Sequence, residues 1–217
     1  MNNDNMIDRM ISDIKTALSN PLPGNRAHQE MISYSRPSAE VIRAMDVTPK
    51  ESAVLILLYQ LNDQLCFPLI LRPEYDGVHS RQIGLPGGQK EKQDKDLVAT
   101  AIRETSEEIG ANVKQIKILG ALTEIYIPPS NFLVKPVVAL YEPLNDFVPD
   151  KTEVSRILTS SLNELIELNI EKRKVFIRHQ RHQTTVSCFI IDEEIVWGAT
   201  AMILSELRAI IIENGIL

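Results

Sequence analysis

At 217 residues, with 24% charged and 44% hydrophobic side chains, the chain has the make-up of a globular protein, and one domain with extra elements is expected rather than two. A net charge of −6 excludes a nucleic-acid-binding surface spread over the whole molecule, while a local basic site stays open. The longest apolar run is too short to span a bilayer, and the first residues carry Asp4 and Asp8 without the apolar core of a signal peptide. Cys66 and Cys188 sit inside apolar runs and read as buried thiols in a reducing compartment, so a cytoplasmic protein is expected.

Met6, Ile7, Met10, Ile11, Ile14 and Leu18 recur at helical spacing until Asn20-Pro21 stops the pattern. This predicts an amphipathic N-terminal helix docked on the domain or on a partner chain, a homodimer being one way to cover its face. Residues 20–37 read as an irregular connection in which His28 and Arg36 are solvated, followed by a short helix from Ser38 to Met45. Residues 1–50 thus divide from a main domain over 51–217. From Ser52, SAVLILLYQ is apolar at nearly every position, as a strand buried on both faces is. Leu61-Asn62-Asp63 turns the chain into LCFPLILR, where Pro68 predicts a local break or an edge position. Residues 73–82 form a loop leading to a glycine-rich stretch and a central helix, taken up below. Residues 116–127 and 132–141 then read as strands flanking Pro128-Pro129-Ser130-Asn131. TEVSRILTSSL reads as a further strand, SLNELIEL as a short helix, and KVFIRH with TTVSCFII as a second hairpin. The basic run over 171–183 fits the solvated faces of that hairpin better than a grip on phosphate. Trp197 reads as a core anchor opening a last helix that runs to Glu213, closed by Asn214-Gly215, and His79 as a structural loop residue. Strands alternating with helices make an α/β fold.

The chain is organised around residues 85–111, LPGGQKEKQDKDLVATAIRETSEEIGA. Asp94 is placed as the helix N-cap and Gly110 at its end. Val98, Ala101, Ile102, Thr105 and Ile109 gather into one packing stripe, and Glu104, Glu107 and Glu108 onto the flank beside it. Like charges three and four apart cost an isolated helix about 0.2–0.5 kcal/mol per pair, so a face needed only for solvation would mix signs. Converging carboxylates suit a hard divalent cation, and Pro86-Gly87-Gly88 lets the backbone approach whatever that cation holds. Such an ion neutralises the charge of an anionic substrate and lowers the pKa of a coordinated water. Glu104 and Glu108, one turn apart, are the first ligands, and Glu107 is a third ligand or the base that takes a proton. Arg103 orients a carboxylate, and Gly88 offers a backbone carbonyl.

The segment resembles a Nudix box, whose pattern is Gly, five residues, Glu, seven residues, then Arg-Glu-apolar-any-Glu-Glu-any-Gly-apolar. Arg103, Glu104, Glu107, Glu108 and Gly110 fill their slots, Ala111 takes the last, and Thr105 occupies the apolar one. Counting back from Arg103 puts Lys95 in the Glu slot and Gln89 in the Gly slot. One inserted residue restores the pattern as Gly88, five residues, Asp94, eight residues, Arg103. Residues 79–88 (HSRQIGLPGG), IPPSNFLVKPVVAL and VWGATAMILSEL are similar to the coenzyme A pyrophosphatase branch of that family, over roughly residues 50–210. Arg81 stands where that branch usually has Gly, and Leu71-Arg72-Pro73 replaces its usual Thr/Lys-Arg-Ser.

The resemblance implies a Nudix-like α/β/α sandwich with a mixed β-sheet. It implies Mg²⁺- or Mn²⁺-dependent splitting of coenzyme A or acyl-coenzyme A into 3′,5′-ADP and 4′-phosphopantetheine. Arg72, Arg81 and Gly87 would then face the substrate, a small nucleotide, with neither nucleic acid nor membrane as partner. The same chemistry on ADP-ribose or a dinucleotide is a second reading, and a non-catalytic nucleotide-binding module a third. An intact set of Arg103, Glu104, Glu107 and Glu108 argues against the third.

Overall fold

The computed structural model describes residues 3–32, 37–45, 48–77, 79–143, 145–177 and 182–217. Arg36, and Arg178, His179 and Arg181 of the basic run, lie outside them. Strand β1 (Lys50–Leu61) is the centre of a mixed eight-stranded sheet. It runs parallel to β7 (Phe132–Tyr141) and antiparallel to β2 (Gln64–Leu71) and β4 (Gly87–Gln89). Strands β5 (Ile116–Ala121) and β6 (Ile125–Ile127) continue the sheet from β7, while β3 (Ile83–Gly84) and β8 (Arg156–Ser161) pair with β2.

The apolar run of β1 explains the layers. Successive side chains of a strand point to opposite faces. Ala53, Leu55 and Leu57 enter one core with Ala101 and Ile109 of helix α4 (Leu97–Ile109). Ile56 and Leu58 enter the other with Ile203 and Leu207 of helix α6 (Gly198–Glu213) and Ile7 and Ile14 of helix α1 (Asn3–Ala17). Helices on both faces of a mixed sheet are the expected α/β/α sandwich. Asn62 and Asp63 turn β1 into β2 with φ of 47° and 61°, the two left-handed residues a tight hairpin turn requires. Pro68 pairs with Thr159 of β8, in the part of β2 that has already left β1, so its missing N–H breaks no bond to the central strand.

The apolar face of α1 is covered within the chain. Ile7, Met10, Ile14, Ala17 and Leu18 are all buried in the larger core, so docking across a homodimer is not needed to explain it. The connection after it is more ordered than expected, with helix α2 (Asn25–His28) and a 3₁₀ turn over Gln29–Met31. His28 is not solvated but 1% exposed, and its Nε2 lies 2.9 Å from Glu206 Oε2. Glu206, itself 0% exposed, also accepts from the Gly24 amide at 3.1 Å and the Thr123 hydroxyl at 2.6 Å. These bonds tie the N-terminal segment and the β5–β6 connection to α6. Helix α3 (Ala39–Ala44) follows where expected, capped by Ser38.

The stretch expected as one strand over 116–127 is divided into β5 and β6, and a bulge between Ile118 and Gly120 shifts the register. Helix α5 (Leu162–Glu167) opens on a capping box between Ser161 and Glu164. A second sheet holds β9 (Glu171–Ile177), β10 (His182–Ile191) and β11 (Glu194–Trp197) in the order β11-β10-β9. Lys172, Arg173 and Lys174 are exposed there, as a solvated hairpin face should be. Cys66 and Cys188 are free and buried. Among the described residues no helix is long and apolar enough to cross a membrane.

Candidate active site

Helix α4 begins two residues later than its first acidic residue suggests. Asp96 is the N-cap, accepting from the Ala99 amide at 2.8 Å, and Gly110 ends the helix with φ 71°. Asp94 is released from capping and buried instead. Its carboxylate takes Arg103 Nε at 3.0 Å and Nη2 at 2.9 Å, with the Thr100 hydroxyl at 3.0 Å. This two-pronged contact holds the Asp94 carboxyl well below the usual carboxylate range and raises the Arg103 guanidinium. Arg103 also reaches Glu104 Oε1 at 2.9 Å and Glu107 Oε2 at 2.8 Å, and donates to the Gln89 carbonyl at 3.2 Å. Thr105, in the apolar slot, satisfies its buried hydroxyl on the Ala101 carbonyl at 2.7 Å.

The glycines work through the space they leave. Gly87 has φ 150°, and a Cβ there would fall 2.3 Å from the Ala53 carbonyl oxygen. Its amide donates to Glu108 Oε2 at 2.8 Å. A Cβ on Gly88 would fall 2.4 Å from the Glu104 carboxyl carbon. Arg72 donates from Nη2 to the Gly87 carbonyl at 3.1 Å and lies 3.5 Å from Glu108 Oε1. Glu108 is 1% exposed, and its burial pushes the carboxyl up to about 7 against the opposing pull of Arg72 and the Gly87 amide. Burial also raises Glu104, with Arg103 opposing.

A third carboxylate joins these two, and it is one the sequence did not mark. Glu104, Glu108 and Glu153 each offer an oxygen, all within 4.8 Å of one another. Glu153 lies in the connection between β7 and β8, which α4 itself holds. The Val148 amide donates to the Ile109 carbonyl at 3.0 Å and the Asp150 amide to the Glu108 carbonyl at 2.9 Å. Phe147 packs beside Tyr59 and Tyr141 at ring distances of 5.1 and 5.7 Å, and the Ser155 amide donates to the Leu71 carbonyl at 2.8 Å. Oxygen donors converging beside a glycine fit a hard divalent cation. Glu107 stands apart from the group, 57% exposed and engaged by Arg103.

The three carboxylates and Arg72 line a cleft of ≈ 860 Å³, within the range of ligand sites. Its lining also includes Ser52, Ala53 and Val54 of β1, Pro128, Pro129 and Phe132, and Ile177, Thr184 and Trp197. Trp197, expected as a core anchor, is half-buried and faces this space. His79 borders it too, its Nδ1 3.1 Å from Gln82 Oε1. Arg81, expected to face the substrate, does not line the cleft. It is exposed with φ 53°, a left-handed backbone that favours glycine, and its amide donates to the Pro73 carbonyl at 3.2 Å. Glycine would meet this backbone freely, and the arginine meets it under strain.

Residues 49–179 match the family model of the NUDIX domain. The chain is 32% identical over 173 residues to an uncharacterized Nudix hydrolase, NudL, of Pectobacterium atrosepticum, covering 73% of this chain and 81% of that one. It is 31% identical over 158 residues to the human mitochondrial coenzyme A diphosphatase NUDT8, covering 71% of this chain and 66% of that one. A crystal structure of a MutT/nudix family protein from Enterococcus faecalis aligns with TM-score 0.48 and 14% identity, over 80% of this chain and 68% of that one. With its domain match, its sandwich and its acidic cluster beside the glycines, the chain belongs to the Nudix hydrolase family.

Proposed function

We propose that this chain hydrolyses the diphosphate bond of coenzyme A and its thioesters, releasing 3′,5′-ADP and 4′-phosphopantetheine, in a reducing cytoplasm where Cys66 and Cys188 stay thiols. The observation that carries this reading is the convergence of Glu104, Glu108 and Glu153 in a cleft also lined by Pro128, Pro129, Phe132, Ile177 and Trp197. A diphosphate flanked by two unlike moieties has that shape and that division of charge. The similarity to a relative named as a coenzyme A diphosphatase supports the substrate.

Glu104 and Glu108, with Glu153 beside them and the Gly88 backbone against Glu104, are the groups that would hold Mg²⁺ or Mn²⁺. The bound ion supplies charge neutralisation of the diphosphate and a more acidic water. The chain's own groups do the rest. Arg72, 28% exposed and lining the cleft, faces a phosphate oxygen while keeping its contacts to Glu108 and Gly87. Glu153, the most exposed of the three carboxylates, accepts the proton of the attacking water. Arg103, anchored by Asp94, fixes the Glu104 carboxylate, and the Gly87 amide fixes that of Glu108. Glu107 acts through Arg103.

The test is a product analysis. Coenzyme A, dephospho-coenzyme A and ADP-ribose are each incubated with the protein and Mg²⁺ or Mn²⁺, and products are identified by mass. Release of 3′,5′-ADP from coenzyme A, dependent on the ion, is the expected result. Turnover of ADP-ribose alone would move the assignment to another nucleoside diphosphate derivative. Ion binding without turnover of any of them would contradict the enzymatic reading.

A further inference from the structure

We propose that the β9–β10 ribbon selects the non-reacting half of the substrate, and that the half it accepts is an uncharged apolar arm such as the acyl chain of a coenzyme A thioester. This rests on the diphosphatase reading above and adds the element that chooses among its substrates.

The cleft is divided by charge. The three carboxylates and Arg72 sit at one end, and among the described lining residues Arg72 alone represents lysine and arginine. The register of β1 measures how far the other end lies. Ala53 is opposite Gly88 and Lys50 is opposite Phe132, three residues further along, or about 10 Å at strand rise. There Pro128, Pro129 and Phe132 border the cleft on the β7 side, and Ile177, Thr184 and Trp197 line the same cleft. Five of them are half-exposed and Pro129 is exposed. Apolar side chains left open to solvent on a convex surface are ordinary, but in a concavity continuous with a polar reacting centre they mark ligand contact.

The ribbon is built for that position. Strand β11 ends at Trp197, opposite Cys188, while β10 begins at His182, six residues or about 20 Å nearer the tip. Over that length β10 pairs, among the described strands, with β9 alone. Paired residues share a face, so Ile177 with His182 and Val175 with Thr184 form one side of the ribbon. Ile177, His182 and Thr184 of that side border the cleft. The other side carries Lys172, Lys174 and Phe176, the last 58% exposed. Near its base the ribbon buries Val186 and Cys188, and towards the tip the same face passes from core to cleft. The tip half of the inner face therefore contributes to a ligand surface rather than to the core.

The experiment compares kcat/KM for octanoyl-coenzyme A, acetyl-coenzyme A and ADP-ribose, using the full chain with Mg²⁺. The parent should favour octanoyl- over acetyl-coenzyme A. Ile177→Ser should lower kcat/KM for the octanoyl substrate about tenfold, chiefly through KM, and that for ADP-ribose no more than about twofold, since loss of apolar contact in a pocket is worth roughly a factor of ten or more. Ile177→Leu should restore the preference. Thr184→Asp, which sets a charge on the same face, should suppress the octanoyl substrate as well and guards against misfolding of one variant. An equal loss on all three substrates, or a parent indifferent to chain length, would overturn the inference while leaving the diphosphatase reading intact. A parent inactive on all three would overturn that reading and the inference with it.

Discussion

The two ends of the cleft are made in opposite ways. At the α4 end, Asp94, Arg103, Glu104 and Glu108 are locked to one another and to the backbone of Gln89 and Gly87, and a single added Cβ would collide with them. At the ribbon end, Ile177, Thr184 and Phe132 lie half-exposed, and neither Ile177 nor Phe132 has a polar side-chain group to fix it in place. Chemistry demands fixed geometry of charges, whereas discrimination between uncharged arms needs only shape and apolar area. A mutation at the first end should therefore abolish turnover of every substrate, and one at the second should re-rank the substrates.

The largest effect should come from Glu108→Gln. Removing a buried donor to the ion takes away several kcal/mol of charge stabilisation, so kcat should fall on the order of 10³-fold or more at saturating Mn²⁺ for every substrate. Near-normal turnover would remove Glu108 from the site. Next, Glu153→Gln should cost about 10²-fold in kcat, the usual contribution of a positioned base. Glu107→Gln should cost less than about tenfold, because that side chain is exposed and engaged by Arg103. The reverse ranking of these two would return the base to Glu107.

That contrast between Glu107 and Glu153 also shows what could be read from the chain. The helix, its glycines and its three box carboxylates follow from local spacing, and so do the two-faced strand β1 and the hairpin turn at Asn62-Asp63. Glu153 was illegible, since it reaches the site through a loop hydrogen-bonded to the last carbonyls of α4, a contact no periodicity encodes. His28 was illegible for the same reason, its partner Glu206 lying 178 residues away. Asp94 was misplaced by a small margin with a large consequence. Two acidic residues compete for one cap, and the loser becomes the anchor of Arg103.

A smaller effect separates the ends by pH. The Glu108 carboxyl stands at about 7 in the folded protein against 4.5 for an ordinary glutamate. A raised carboxylate contributes stability that is fully present below the lower value and is lost as pH rises through the higher one. The metal-free protein should thus lose up to about 3 kcal/mol between pH 4.5 and 8, seen as a falling Tm. Glu108→Gln should flatten that slope, while Ile177→Ser should leave it unchanged. A parent Tm that rises across the same range would contradict the placement of Glu108.

Smallest of all, Arg81→Gly should raise stability by no more than about 1 kcal/mol, the relief of a left-handed backbone less the freedom glycine gains in the unfolded chain. It should leave kcat/KM for coenzyme A within about twofold. A several-fold fall would bring Arg81 back to the substrate.

The most direct test sets the two ends against each other in one measurement, the ratio of kcat/KM for octanoyl-coenzyme A to that for ADP-ribose. Glu153→Gln should lower both constants and leave the ratio unchanged, Ile177→Ser should lower the ratio about tenfold, and the double variant should show both effects independently. A ratio that moves with Glu153→Gln, or holds steady in Ile177→Ser, would contradict the division of the cleft into a reacting end and a selecting end.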